Sequence, residues 1–128
     1  MKELTKAEEQ LMQILWKIEK GFVNNIMEEI PEPKPAYNTV STIVRILEKK
    51  GFVGHKAYGK THEYFPLISK DEYSKEYMGS FVKNYFQNSY QQLVSFFASG
   101  DNLSIKELEE IRSMMDEQIK KNKKSKNK

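Results

Sequence analysis

The chain has 128 residues, no cysteine and a formal net charge of +3. The absence of cysteine excludes disulfides, cysteine-ligated zinc and thiol catalysis. The first ten residues are charged where a signal peptide needs an apolar core, and no window approaches the roughly 20 apolar residues of a spanning helix. We therefore predict a cytoplasmic protein that does not insert into a membrane.

The first 30 residues predict a long helix and a short one. Thr5 and Glu8 form a capping-box pattern before an apolar run at helical spacing, and Gly21 marks the end of that helix. Phe22 is assigned to a short strand, and residues 23–30 to a two-turn helix. Three prolines separate this helix from the next one.

Residues 37–50 predict a second long helix with two distinct faces. Its apolar face carries Val40, Ile43, Val44 and Leu47. The opposite face carries short hydrogen-bonding groups and one arginine, which can meet the edges of base pairs, whereas a merely solvated helix more often shows Glu and Lys pairs. We predict that DNA bases are read by Tyr37, Asn38, Thr39, Ser41, Thr42 and Arg45.

A basic hairpin follows this helix. Residues 34–62 hold six basic residues and one glutamate, between two segments of net negative charge. Such a segment suits a polyanion, because clustered Lys and Arg release counterions from phosphates. With the turn placed at Tyr58-Gly59, we predict that phosphates are contacted by the wing tip and nearby lysines: Lys34, Lys49, Lys56, Tyr58, Gly59 and Lys60, with Lys50 as a further candidate.

The order helix, short helix, turn, helix and hairpin predicts a winged helix-turn-helix domain over residues 1–68. The fold class is thus mainly α with a small β-hairpin. Residues 69–119 predict a long helical region, opened by a capping box at Ser69 and Glu72 and extending to Phe97. A last helix follows another box at Ser104 and Glu107.

These later helices carry apolar stripes that they cannot bury alone, so we predict a homodimer. The alternative is that they fold back on the first domain. The predicted dimerisation residues are Tyr77, Phe81, Tyr85, Phe86, Tyr90, Leu93, Val94, Phe97, Leu108, Ile111 and Met115. Residues 120–128, with six lysines, predict a disordered tail that attracts DNA weakly.

No catalytic, cofactor or metal site is predicted, and the protein is not expected to be an enzyme. If Tyr58-Gly59 is the turn, His55 and His62 face one another across the hairpin, but two ligands are too few for zinc. The aromatic row from Tyr73 to Tyr85 favours packing over the alternative of a small-molecule pocket between the C-terminal helices. A second alternative is a winged helix that binds proteins rather than DNA.

Several segments carry a family resemblance: L-T-x-A-E and L-W between residues 4 and 16, V-N-N-I-M-E-E-I at 23–30, T-V-S-T-I-V-R-I-L-E-K-K-G-F-V at 39–53, K-T-H-E-Y-F-P-L at 60–67 and L-V-S-F-F-A-S-G-D-N-L-S at 93–104. In order and spacing, the chain resembles the penicillinase repressor family of bacterial transcription regulators, the BlaI/MecI type, over residues 4–120. The resemblance implies a winged-helix DNA-binding domain and a helical dimerisation domain, whose dimer binds a pseudo-palindromic operator and represses transcription.

The resemblance also implies how repression ends. In the family, a membrane sensor-protease pathway leads to cutting of the dimerisation domain, and the spacing places that bond at Phe96-Phe97, with Phe96 where the family has Asn. Ala36, Tyr37 and Asn38 stand where family members often have Ser-Pro-Lys, which implies a different operator. The copper-responsive branch uses a C-terminal cysteine cluster, so copper sensing by that route is excluded.

Overall fold

A computed structural model describes residues 3–126. Its elements, in chain order, are α1 (Lys6–Ile18), α2 (Val23–Glu28), α3 (Tyr37–Lys49), β1 (Val53–Tyr58), β2 (Thr61–Pro66), α4 (Lys70–Phe86), α5 (Tyr90–Ala98) and α6 (Ile105–Lys126). The chain divides into two compact units, one ending at Met78 and the other beginning at Gly79. The division therefore falls within α4, whereas the sequence predicts a boundary between residues 68 and 69. Among the described residues, no helix is both long and apolar enough to cross a membrane.

All three predicted capping boxes are confirmed. At the start of α1, the Glu8 amide donates to Thr5 Oγ1 at 3.2 Å, and the Thr5 amide donates to Glu8 Oε1 at 3.0 Å. The same reciprocal pair joins Ser69 with Glu72 before α4 and Ser104 with Glu107 before α6. The hydrogen bonds from Ser104 hold the pKa of Glu107 below its usual value. Each box satisfies two amides that have no partner within the helix.

The core of the first unit lies where the three helices meet the hairpin. Val40, Val44 and Leu47 on the inner face of α3 are fully buried, which confirms its predicted apolar face. They belong to one cluster with Met12, Leu15, Ile26, Phe52 and Val53. Because α3 is anchored by this face, its opposite face is left to solvent.

Aromatic side chains join the start of α4 to this core. Trp16 Nε1 donates to the carbonyl of Ile68 at 2.8 Å, and the Tyr73 hydroxyl donates to Glu9 Oε2 at 2.8 Å. Burial raises the pKa of Tyr73, and the bond to the Glu9 carboxylate raises it further. The first turn of α4 is therefore part of the first unit.

The hairpin turn lies one residue later than the sequence predicts. β1 and β2 are antiparallel, with Val53 opposite Pro66 and Tyr58 opposite Thr61, so the two turn residues are Gly59 and Lys60. Gly59 has φ of 63°. Glycine is favoured at the first central position of a type II′ turn, which requires a positive φ and matches the twist of the strands.

A single bridge extends the hairpin toward the start of α2. The Gly21 amide donates to the carbonyl of Tyr64 at 2.9 Å, and the Tyr64 amide donates back at 2.8 Å. The prediction of a strand at Phe22 is wrong, because Phe22 is the N-cap of α2 and its amide donates to Asn25 Oδ1 at 2.9 Å. Gly21 does not cap α1 either, since the C-cap is Glu19, with φ of 73°.

The helical region predicted between Ser69 and Phe97 consists of two helices. Gln87 and Asn88 have φ of 52° and 62°, and this left-handed pair ends α4. Ser89 then caps α5, because its hydroxyl accepts from the Gln92 amide at 3.2 Å. Asn tolerates the left-handed conformation and Ser is a preferred N-cap, so Asn88-Ser89 was the signal in the sequence.

The last helix is longer than predicted. α6 runs to Lys126, so residues 120–126 are helical where the composition predicts a disordered tail. Residues 127 and 128 of that predicted tail lie outside the described residues. Five of the six lysines of the segment are therefore arranged on a helix.

A partly buried ion pair connects the start of α1 to the end of α3. Lys50 Nζ lies 2.7 Å from Glu8 Oε1, and the Glu8 side chain is only 7% exposed. Lys50 also donates to the carbonyl of Glu3 at 3.1 Å. Burial alone would raise the pKa of Glu8, but the hydrogen bonds from Lys50 and Thr5 outweigh it and lower that pKa below 4.5.

Glu8→Gln is expected to lower the free energy of unfolding by about 1.5 kcal/mol at pH 7, because it keeps the capping geometry and removes the charge facing Lys50. A depressed pKa in the folded state means that this contribution is present above pH 4.5 and is lost as pH falls through the folded pKa. Urea unfolding of wild type and variant from pH 7 to pH 2.5 measures it. A difference that stayed constant over that range would contradict the assignment.

Candidate nucleic-acid interface

The outward side of α3 carries the six residues predicted to read bases, which we call the reading face. Tyr37, Asn38, Thr39, Thr42 and Arg45 are exposed, and Ser41 is half-buried. Ile46, 38% exposed, lies beside them and was missed by the sequence analysis. An exposed apolar side chain among short polar ones is suited to contact a thymine methyl group.

Two of these side chains are held by the helix itself. Thr42 Oγ1 donates to the carbonyl of Asn38 at 2.8 Å, so its methyl group and oxygen lone pairs remain available. Arg45 donates through Nε to the carbonyl of Ser41 and through a terminal nitrogen to Ser41 Oγ, both at 3.4 Å. Since a guanidinium has five N–H donors, these long bonds orient it and leave donors for a ligand.

The wing, defined as β1, β2 and their turn, presents cations next to aromatic rings. Lys56 Nζ lies 5.3 Å from the centre of the Tyr58 ring, within cation–π range. The Tyr58 ring lies 5.8 Å from the ring of Phe22 at the start of α2, in an edge-on arrangement. Lys60, in the turn, is exposed. These contacts hold the wing tip against α2.

A second connection joins the wing to α3. His55 Nδ1 on β1 is hydrogen-bonded to Glu48 Oε2 near the end of α3. His55 also stacks on His62, with ring centres 4.1 Å apart and planes 5° from parallel. The predicted direct pairing of the two histidines is wrong, because His55 lies opposite Tyr64 and His62 opposite Ala57, which makes them diagonal neighbours. Parallel stacked rings do not point their nitrogens at a common metal ion.

A cleft of about 290 Å³ lies between the reading face, the start of α2 and the wing. Tyr64 forms part of the wall of this cleft. Burial raises the pKa of its phenol, and the nearby Glu48 carboxylate adds to the shift, so the phenol stays neutral. The cleft thus combines cationic and neutral hydrogen-bonding groups. Its lining residues are Phe22, Val23, Asn24, Tyr37, Ser41, Arg45, Lys60, Thr61, His62 and Tyr64.

Two of the lysines considered for phosphate contacts are engaged within the fold. Lys34 Nζ donates to the carbonyls of Met27 and Ile30, both at 2.6 Å, and so caps the end of α2. Lys50 is paired with Glu8, as described above. Lys49, Lys56 and Lys60 are exposed. Lys34 is itself exposed, but Lys49, Lys56 and Lys60 are the predicted phosphate contacts that neither cap a helix nor pair with a carboxylate within the described residues.

The predicted dimerisation residues differ in exposure. Tyr77, Tyr85, Tyr90 and Met115 are exposed. Partly buried are Phe81, Phe86, Leu93, Val94, Phe97, Leu108 and Ile111. Val82, which was not predicted, is fully buried. The Phe86 ring lies between Phe81 and Phe96, at 5.8 and 5.6 Å, so an aromatic cluster holds α4 to α5, while Phe96 itself is 69% exposed.

Together these elements form a winged helix-turn-helix module, in which α2 and α3 are the two helices and β1–β2 is the wing, followed by a helical region. The family model described as Penicillinase repressor matches residues 4–117 of this chain. The chain belongs to that family.

Its relatives match almost end to end. The Methicillin resistance regulatory protein MecI of Staphylococcus aureus strain N315 is 30% identical over 114 residues, which cover 88% of this chain and 93% of that protein. The Penicillinase repressor of Bacillus licheniformis is 26% identical over 116 residues, covering 90% of this chain and 91% of that protein. A solution structure of the DNA binding domain of the repressor BlaI is 27% identical, with a TM-score of 0.49, and covers 57% of this chain and 94% of its own.

Proposed function

We propose that the protein is a cytoplasmic, DNA-binding transcriptional repressor and not an enzyme. The observation that carries this proposal is the reading face on α3, an exposed row of short polar side chains and one arginine flanked by the basic wing. A helix with this face suits the major groove, where each base pair presents a distinct pattern of donors and acceptors. Its membership of the Penicillinase repressor family supports the same function.

The two parts of the surface have different tasks. The reading face, led by Asn38 and Arg45, selects the base sequence. Lys49, Lys56 and Lys60 contact phosphates, with Tyr58 and Gly59 forming the wing tip, and so set the position of the module on the duplex. The hydrogen bond between Glu48 and His55 joins α3 to the wing.

We further propose that the protein acts as a homodimer joined through its helical region, which binds a pseudo-palindromic operator. The exposed aromatic rings of Tyr77, Tyr85 and Tyr90 support this, because large apolar side chains at 54–74% exposure are typical of a surface that a partner covers. Two copies would present two reading faces, as a two-fold operator requires.

Release from the operator is proposed to follow cutting at Phe96-Phe97 by a sensor-protease pathway. Phe96 is exposed on α5, the shorter helix of the second unit, which favours local opening. Such a cut would leave most of α5 attached to α4 and detach α6, and the loss of α6 would separate the two copies. Mass spectrometry of the protein recovered from induced cells would show the cut, and an intact chain during induction would contradict it.

Selection of bound duplexes from a random DNA pool tests the function as a whole. We expect enrichment of a two-fold symmetric sequence, with half-sites about one or two helical turns apart. Absence of any enriched sequence would refute sequence-specific binding and would favour a protein-binding winged helix. Enrichment of a single asymmetric half-site would refute the proposed dimer on DNA.

Lys60→Ala is expected to weaken cognate and random duplexes by a similar factor and to lower the salt slope of binding by about 1, because Lys60 serves a phosphate. Fluorescence anisotropy at several salt concentrations measures this slope. Lys75→Ala is the matched control, since Lys75 lies on α4, outside the reading face and wing. A change in sequence preference after Lys60→Ala would contradict its assignment as a phosphate contact.

A further inference from the structure

Helix α6 has a divided charge pattern. Residues 105–117 hold five acidic side chains and two basic ones, whereas residues 118–126 hold five lysines and no acidic residue. Acidic residues near a helix start and basic ones near its end complement the helix dipole, but that effect is confined to the first and last turns. In α6 the two blocks each extend over more than two turns, so the dipole accounts for only part of the pattern.

The same helix carries a stripe of four apolar residues and a terminal asparagine whose positions are symmetric about Met115. Ile111 and Ile119 lie four residues before and after it, and Leu108 and Asn122 lie seven residues before and after it. On a helix with 3.6 residues per turn, all four lie within about 40° of Met115. Met115 and Ile119 are 42% and 50% exposed, so this part of the stripe is not covered within the chain.

We propose that α6 pairs with α6 of a second copy in antiparallel orientation, with the two-fold axis at Met115. This inference rests on the homodimer of the proposed function and specifies how its last helices meet. Under this symmetry, Met115 meets its own copy, and Ile111 lies level with Ile119 of the second copy. The contact is thus centred on the exposed Met115 and Ile119, while at each end Leu108 lies level with Asn122 of the second copy.

Charge determines the orientation of the two helices. Antiparallel pairing places the acidic turn of residues 107–110 beside the lysines of residues 120–123 in the other copy, twice by symmetry. On the flank of the stripe, Glu109 then lies close to Lys123 of the second copy. Parallel pairing in register would bring acidic turns together and lysines together, and like charges at an interface suppress association.

The proposal assigns a structural task to the lysine-rich end of the chain. α6 has 22 residues and a length of about 33 Å, so an axis at Met115 makes the two helices overlap almost completely. The lysines lie beyond residue 117, where the match to the family model ends. They serve the partner chain rather than the DNA, in contrast to the sequence-based expectation for this segment.

Disulfide trapping in the full-length protein tests the orientation, because the chain has no cysteine of its own. Ile111→Cys and Ile119→Cys are prepared separately, mixed to allow subunit exchange, and oxidised. Antiparallel pairing predicts at least tenfold more crosslinked dimer in the mixture than in either variant alone, since identical positions would be about 12 Å apart along the axis, too far for a disulfide. Parallel pairing predicts crosslinks in each variant alone.

Met115→Cys should crosslink with itself, because it lies on the axis. Ser113→Cys is the matched control, as Ser113 is exposed on the opposite side of α6 and should not crosslink. If the protein is a dimer by sedimentation but the mixture gives no crosslink between positions 111 and 119, the α6 pairing is overturned and the repressor function stands. If the protein is a monomer, both the pairing and the proposed dimer are overturned.

Charge reversal provides a second, independent test. One variant carries Lys120→Glu, Lys121→Glu, Lys123→Glu and Lys124→Glu; the other carries Glu109→Lys and Glu110→Lys, which leaves the Ser104–Glu107 capping box of α6 intact. Each alone is expected to raise the dimer dissociation constant at least tenfold, and an equal mixture of the two is expected to form heterodimers with near wild-type affinity. Far-UV circular dichroism monitors folding of each variant. If the lysine variant loses only non-specific DNA affinity and dimerises normally, the lysines serve DNA and the proposal is overturned.

Discussion

Tyr85→Asp is expected to convert the dimer to a monomer, raising the dimer dissociation constant about a thousandfold. The side chain is 74% exposed in the single chain, so the substitution should leave the monomer fold intact. In the proposed dimer the ring is covered, and truncation of a buried aromatic anchor costs about 2 kcal/mol or more. A two-fold interface contains the residue twice, so the two losses together amount to about 4 kcal/mol.

Because the Tyr85→Asp variant no longer dimerises, its operator affinity should fall by about a hundredfold or more. The second half-site is then no longer bound at high effective concentration. Sedimentation velocity and fluorescence anisotropy with the selected duplex measure the two effects. Asn84→Asp is the matched control, as it adds the same charge at the adjacent exposed position. If Tyr85→Asp stayed dimeric, Tyr85 would not lie in the interface. If Leu93→Asp also stayed dimeric, dimerisation through α4 and α5 would be contradicted.

Arg45→Ala is expected to weaken binding to the selected operator by about 1–3 kcal/mol and to relax the sequence preference at one base position. The reason is that a guanidinium can bond guanine through two parallel hydrogen bonds, which no other base accepts in the same way. In the structure, the contacts with Ser41 orient the guanidinium near the cleft beside the wing. Asn38→Ala should have a similar effect at a different base position.

Competition binding with the operator and with single-base variants measures this change. Lys49→Ala serves as the comparison on the same helix, since a phosphate contact should weaken all duplexes equally. Equal losses on cognate and random DNA for both Arg45→Ala and Asn38→Ala would refute the reading face. Circular dichroism should show no change, because both side chains are exposed.

Local signals predicted the first unit well. Each capping box is a contact between residues three positions apart, so its pattern is visible in the sequence and forms as predicted. The faces of α3 also followed from spacing, because helical geometry separates Val40, Val44 and Leu47 from the polar residues and a core buries the apolar side.

The wrong predictions arose where two local patterns were compatible with the same residues. Tyr58-Gly59 and Gly59-Lys60 are both acceptable two-residue turns, and the choice depends on strand register, which the core contacts of Val53 and Tyr64 decide. The break between α4 and α5 was not located in advance, because the aromatic spacing from Tyr73 to Phe97 continues through residues 87 and 88. The lysines of α6 have high helix propensity. The prediction of a disordered tail was based on charge composition and did not take this propensity into account.

The sequence by itself determined the helix starts, the inward and outward faces of α3 and the presence of a basic hairpin, because these depend on residues within a few positions of one another. Only the tertiary structure decided which of the predicted lysines are available to contact phosphates and which are bonded within the fold. Lys34 and Lys50 look like Lys49 and Lys60 in composition, yet Lys34 caps the end of α2 and Lys50 is paired with Glu8, 42 positions away. The Lys50 pairing depends on how the chain folds back on itself, and no local pattern specifies that; the Lys34 bonds span only four and seven positions, but they depend on the path of the proline-rich turn after α2.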